Sequence, residues 1–516
     1  MKKYYFPIVL AGLLLLTSCG EDFLTANPTE SQQAGAPATE GAIKSNLAAC
    51  YQILLFDSYA NNNYNSLPLM SDLRSDDIYK GGGDASDQRQ LYLLSLLEPT
   101  PQELPEGLWN IFYSGLARTN NAIIACKNAV GVSEANVNRY SAEATFLRAY
   151  YMHWLWKFWG KVPYFDEPLV APYLAKQYSA DEIYEKIISD LDYAIEDNKL
   201  PMSVSGNDLG RVTKAAAMML RARVVMYQND ASRFAQVTSD MAEIINSGAY
   251  LLMDAAQMKE GETAAPFAAM WKDQYEFCAE NIFESNQLPE GKTWASGWQG
   301  YGTNLPAFIS PNELKAGSEV GDFKGGWGFG PVRQSAYNIY EEGDTRREGS
   351  INAWNPDQYT PRFQNTGLFM AKYAARVGYN PQGDVDLNYA NNFRIFRYAE
   401  VLLNYAELVV MHGQAEVGGV TAQSCLNQIR KRAFGRDNEI AATPENIKLE
   451  RRREFLGEGM RFWDLVRWGD TNLLTESTAL STRTWEPYKK YLPIPQSERE
   501  KTVGTEFYLD QNEGYN

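Results

Sequence analysis

Residues 450–469 read ERRREFLGEGMRFWDLVRWG. Arg452, Arg453, Glu454, Glu458, Arg461 and Asp464 alternate in sign at helical spacing, where residues three and four apart face one another. The pattern predicts ion-pair networks tying the last helix to its neighbours, a structural role in preference to a binding one. Just upstream, Thr443-Pro444 is a helix start, a capping hydroxyl followed by proline at the first position, and predicts a helix over 444–456. Helical periodicity also covers 396–411 and 421–433. Four further strings stand at a distance: RYAEVLLNYAE (397–407), YLPIP (491–495), GRVTKAAA (210–217) and GDTRR (343–347).

The N-terminal half is a succession of amphipathic helices. Leu108, Ile111, Phe112, Leu116 and Ile123 form one face, and Phe146, Ala149, Tyr150, His153 and Trp154 another. Ser179 and Glu182 make a capping box, opening a helix striped by Ile183, Ile187, Leu191 and Ile195. Thr213 caps the next helix, and Phe234, Val237, Met241, Ile244 and Ile245 face inward on the one after, which ends at Gly248. Helices paired by short connections are the unit of tetratricopeptide-like (TPR-like) arrays. From about 250 to 390 helical period fades into Gly, Pro, Asn and aromatics, with one short strand expected over 281–286. A long irregular stretch inside a compact protein is usually functional.

The chain opens with a charged n-region (Lys2, Lys3), an apolar run from Ile8 to Leu16 and Leu16-Thr17-Ser18-Cys19, a secretory signal ending at a lipidatable cysteine. The run is too short to span a bilayer, which takes roughly 20 apolar residues, and Pro7 interrupts it. The expected organisation is a signal peptide over 1–18, lipidated Cys19 and a flexible tether over 19–40, a helical region over 41–250, a loop-rich region over 251–392 and a second helical region over 393–516. With 64 acidic against 48 basic residues the chain carries −16, which disfavours nucleic acid and anionic lipid headgroups. Cys50, Cys126, Cys278 and Cys425 are widely spaced and read as buried free thiols, neither a disulfide framework nor a zinc site. Only His153 and His412 are present. Asp384, Asp386 and Asn388 begin like a calcium loop, but Tyr389 stands where glycine is needed and Ile395 where glutamate is. No cofactor is expected, with a structural calcium elsewhere left open. No GxSxG, HExxH or phosphate-binding loop occurs.

The five strings, in their order along the chain and after a lipoprotein start, resemble the SusD/RagB family of Bacteroidetes outer-membrane nutrient-binding lipoproteins over nearly the whole mature chain. Gly20-Glu21-Asp22 is similar to the acidic signal that sends such lipoproteins to the outer face of the outer membrane. The resemblance implies a mainly α fold, four TPR-like helix pairs forming a scaffold with a loop-rich subdomain and few short strands. It also implies a SusC-like TonB-dependent transporter as partner, and a glycan ligand such as an oligosaccharide or starch-like polysaccharide, or a peptide in RagB-like members.

Sugar rings present apolar C–H faces that stack on aromatic planes and hydroxyls that need planar polar partners. In the loop-rich region Trp294, Trp298 and Tyr301 fall among Gly and Ser, and Trp327 and Phe329 lie in GGWGFG (325–330), where glycine neighbours leave a ring face open. Arg74, Asp76, Asp77 and Tyr79 on an earlier loop, a place where the family often has ligand contacts, are a second candidate set, and Arg376 with Tyr379 a third. The expected function is non-catalytic capture of a glycan at the cell surface and delivery to the transporter. A surface glycoside hydrolase, which needs two carboxylates across a cleft, is the alternative from another class, and a TPR-type protein whose only ligand is another protein is a third.

Overall fold

The computed structural model describes residues 36–515 apart from 57–58, 61–62, 65, 290, 292, 295–301, 316, 319–320, 381–383 and 385. Eight helices form the scaffold: α1 (Glu40–Gln52), α2 (Gly107–Lys127), α3 (Glu134–Trp159), α4 (Ala180–Ile195), α5 (Lys214–Gln228), α6 (Phe234–Ser247), α7 (Tyr398–His412) and α8 (Ala422–Phe434). Each packs on the next along this series, giving four stacked pairs in a mainly α, TPR-like architecture. Their ends obey local chemistry. Thr39, Ser133, Ser179, Thr213 and Thr421 each accept a first-turn N–H, and the Ser179–Glu182 capping box is complete. Gly248 and Gly413 close α6 and α7 in the left-handed conformation. The first helix begins at Glu40, the last residue assigned to the tether.

Tryptophan mostly builds the core. Trp109, Trp154, Trp156, Trp159, Trp271 and Trp463 are buried. Trp154, Phe158 and Tyr227 surround Trp463, with ring centroids 5.1–6.2 Å from it. Cys50, Cys126 and Cys425 are buried free thiols, whereas Cys278 keeps some exposure.

The charged string divides into α9 (Pro444–Phe455) and α10 (Arg461–Trp468). Its charges are the hub of a buried network at the seam between the helical scaffold and the loop-rich region. Arg346, Lys372, Arg397, Arg430, Arg432 and Arg453 face an equal number of carboxylates, Glu280, Glu341, Asp344, Glu450, Glu454 and Glu458. Burial would raise the Glu454 carboxyl, but Arg432, Arg397 and Arg346 together hold it well below the usual carboxylate range. Asp344 and Arg346 of the GDTRR string belong to the same network.

The strand β1 (Asn281–Ser285) pairs antiparallel with β2 (Phe393–Arg397), which feeds directly into α7. All five residues of β2 are buried. The strand at 393–397 thus occupies the start of the region expected to be helical. Elsewhere the loop-rich region is held by a short antiparallel pair, Ile351–Ala353 with Leu368–Met370, and by single bridges: Ile78 with Val332, Gly81 with Phe329, Thr303 with Tyr389, Asn312 with Gly326, and Phe323 with Arg376.

Candidate functional site

These bridges bring the three sequence-derived stretches together. The segment 78–82 runs antiparallel to 328–332: the N–H of Gly82 donates to Gly328 O at 2.9 Å and that of Gly330 to Lys80 O at 2.9 Å. Gly81 has φ of 70°, and a Cβ there would run into the Gly328 carbonyl, so only glycine permits this approach. On the other side, the Lys324 N–H donates to Ala375 O at 2.8 Å.

At the centre is Trp327. Trp294 stacks on it, with centroids 5.8 Å apart and planes at 28°. Below, Phe308 meets Trp327 edge-on at 4.9 Å and Phe329 at 4.7 Å. Trp294 is 41% exposed, while Phe329 is buried. Polar groups fix the pair in place. The Trp327 indole N–H donates to Asp386 Oδ2 at 3.1 Å, and the Trp294 backbone N–H to Asp384 Oδ2 at 2.7 Å. Arg362 Nη1 donates to the Trp327 carbonyl at 2.8 Å, and its Nη2 lies 3.7 Å from the Asp87 carboxylate. The Lys80 ammonium sits behind, 4.9 Å from the Phe329 ring centroid and donating to Asp84 O; burial pushes it down to about 8. The result is a supported aromatic plane with an exposed outer ring and Asp and Arg at its edges. Its two nearest carboxylates, Asp386 and Asp384, are engaged in holding the tryptophans.

The other predicted site residues have different tasks. Arg74 is buried, donates to Lys489 O at 2.7 Å and Lys490 O at 3.0 Å, and lies over the Phe462 ring at 3.9 Å. Asp76 pairs with Arg461 at 2.7 Å and Asp77 with Arg452 at 2.8 Å. The second candidate set is therefore corrected for these three residues: they dock the early loop onto α9 and α10 and offer no ligand an open face. The Tyr79 ring is covered by Arg333, at 4.2 Å. Phe329 supports the plane from beneath and does not present a face. Arg376 is buried between Asp322 and the Phe323 ring. The Tyr379 hydroxyl accepts the Asp273 N–H at 3.2 Å, and its ring packs with Ala307, Ala375 and Tyr389 beside Trp327. Trp298 and Tyr301 lie outside the described residues, as does Cys19. Sequence reasoning missed Phe308, Arg362 and the true use of Asp384 and Asp386. The last two were visible only as a failed calcium loop, and among the described residues no three His, Cys, Asp or Glu side chains converge as a metal site.

Stacked helix pairs carrying an aromatic plane on a loop-built subdomain define a helical-repeat scaffold protein. Comparison with known proteins is specific about which. Residues 280–515 match the model of the SusD family, and residues 22–226 match a model described as starch-binding associating with outer membrane. Surface glycan-binding protein A from Bacteroides fluxus is 64% identical, with TM-score 0.88 over 93% of this chain and 100% of that one. Surface glycan-binding protein A from Bacteroides thetaiotaomicron in complex with laminarihexaose is 38% identical, with TM-score 0.83 over 92% of this chain and 100% of that one. A laminarin binding SusD-like protein is 26% identical, with TM-score 0.77 over 93% and 100%. SusD-like protein P25 from Formosa agariphila is 26% identical, covering 95% of this chain and 96% of its own length. The chain belongs to the SusD/RagB family.

Proposed function

We propose that this protein is a non-catalytic receptor for a glycan at the outer face of the outer membrane, and that it captures laminarin-type oligosaccharides. The observation that carries the reading is the Trp294–Trp327 stack, a rigid plane with one ring 41% exposed and polar groups at its edge. The relatives that hold laminarihexaose or bind laminarin support this sugar class over the starch-like polymer first expected. Delivery to a SusC-like transporter and anchoring through a lipid on Cys19 complete the proposal. No helix among the described residues is long and apolar enough to cross a membrane.

Isothermal titration of the soluble protein with laminarihexaose and with maltohexaose tests it. Stacking on an aromatic side chain contributes about 1–3 kcal/mol, on the scale known for a base on a ring. Trp294→Ala is expected to weaken laminarihexaose binding by about 5- to 150-fold, with the melting temperature unchanged. An affinity that Trp294→Ala leaves intact removes the plane from the binding site. Sustained release of reducing ends from laminarin would replace the receptor by a hydrolase.

A further inference from the structure

A second aromatic cavity lies away from the platform, between the start of α2, the loop 163–175 and the C-terminal segment 498–509. Its volume is about 270 Å³, at the lower end of ligand pockets and suited to a single ring-sized group. Tyr113 and Phe165 stack along its wall, with centroids 6.4 Å apart and planes at 14°. The site is built by cross-links: the Tyr113 hydroxyl donates to Pro163 O at 2.9 Å, and Gln177 exchanges two hydrogen bonds with the Asp510 backbone, at 3.1 and 2.9 Å. Over the mouth stands Tyr173, 70% exposed and at φ 60°, a left-handed conformation that a bulky residue adopts only under constraint. Its ring and hydroxyl contact no described residue by stacking or hydrogen bond. On the rim, the Asn110 amide makes no hydrogen bond to any described residue, and Glu498 pairs with Lys501 at 2.6 Å.

An open flat ring, a stacked aromatic wall and a free amide beside an ion pair are the elements that recognise a pyranose: C–H faces on the rings, hydroxyls on the amide and charges. We infer that this cavity is a second, weaker saccharide subsite, which engages another stretch of a long glycan whose main contact is the Trp294–Trp327 plane. The inference rests on the glycan-binding reading above. Its consequence is avidity, because two linked contacts on one polymer bind more tightly than either alone.

Titration of the intact soluble protein with laminarihexaose, together with affinity electrophoresis in gels containing laminarin polymer, tests it. Tyr173→Ala and Asn110→Ala are expected to leave the tight hexaose site unchanged and to weaken retention by the polymer several-fold. In the Trp294→Ala background, where the main site is only weakened, adding Tyr173→Ala is expected to reduce retention by the polymer several-fold further. Tyr173 is 70% exposed, and Asn110 is half-buried with no side-chain hydrogen bond to a described residue to lose, so both variants are expected to fold. Polymer retention unaltered by Tyr173→Ala and Asn110→Ala, in the parent and in the Trp294→Ala background alike, overturns the second subsite alone. Absence of any binding by the parent protein overturns the glycan reading and the subsite with it.

Discussion

Replacing Arg397 by Met tests whether the buried charge network holds the loop-rich region to the scaffold. Arg397 is 1% exposed. Its Nε and Nη2 donate to both oxygens of Glu458 at 2.8 and 2.7 Å, and its Nη1 to Glu280 at 2.6 Å and Glu454 at 3.0 Å. Methionine fills similar volume but leaves six carboxylates facing five cations. Breaking a buried pair by removing one partner costs about 3–5 kcal/mol. The lower end applies, because Glu458 keeps Lys372, Glu280 keeps Arg432, and Glu454 keeps Arg432 and Arg346. With an unfolding entropy near 1 kcal/mol/K for a chain of this size, a loss of about 3 kcal/mol lowers the calorimetric midpoint by about 3 °C. Arg347, which pairs with Glu348 at the surface, is the control, since exposed pairs contribute about 0–1 kcal/mol. A double-mutant cycle with Glu458→Gln should show coupling, the second change costing less once Arg397 is gone. An Arg397→Met midpoint equal to that of Arg347→Met refutes the network as the clamp.

Three further outcomes follow from the same geometry. Phe329→Ala removes a buried ring and is expected to lower stability by about 3–5 kcal/mol, read by denaturant titration; a loss below 1 kcal/mol would mean that Phe329 does not support the plane. Lys157 is buried against the rings of Trp154, Tyr227 and Trp463, 4.5–5.2 Å from their centroids, and burial pushes its ammonium well below its usual range. The unfolded chain therefore holds more protons between the folded value and about 10.4, so Lys157→Met should raise the melting temperature at pH 7 by an amount that shrinks as pH rises; destabilisation at pH 7 would show that the rings sustain the charge. Hydrogen bonding from Arg430 is the largest influence bringing the Glu341 carboxyl down to about 2. Its contribution is complete above the ordinary value of about 4.3 and is lost as pH falls to about 2, so Glu341→Gln should flatten the melting-temperature profile across that window, and an unchanged slope contradicts the assignment.

What the sequence disclosed divides along the range of the interactions involved. Helix ends are settled by side chains three residues away, so Ser179 with Glu182, Thr213 and Gly248 could be read directly. The alternating charges of 450–469 announced ion pairs, but their partners could not be read: Arg452 meets Asp77 375 positions earlier, and no local pattern encodes that separation. The same blindness misassigned Arg74, Asp76 and Asp77, whose mixture of charge and aromatic neighbours suits a ligand as well as it suits a helix partner. The strand over 393–397 escaped notice because its arginines look exposed until β1, more than a hundred residues away, and the carboxylates of α9 bury them. Trp327 and Phe329 share composition, spacing and glycine neighbours, yet one ring lies half open and the other is sealed. Phe308, from the short helix Leu305–Ile309 that carries no periodic signal, packs on both, while Lys80, Gly81 and Gly82 lie against Phe329. Candidate aromatic residues were thus legible as a set, because glycine-flanked rings in an irregular region are few. Their division into face and support depends on the segment 80–82, far earlier in the chain, which only the folded chain brings against Phe329, and so substitutions at Trp294 and at Phe329 should separate cleanly into loss of affinity and loss of stability.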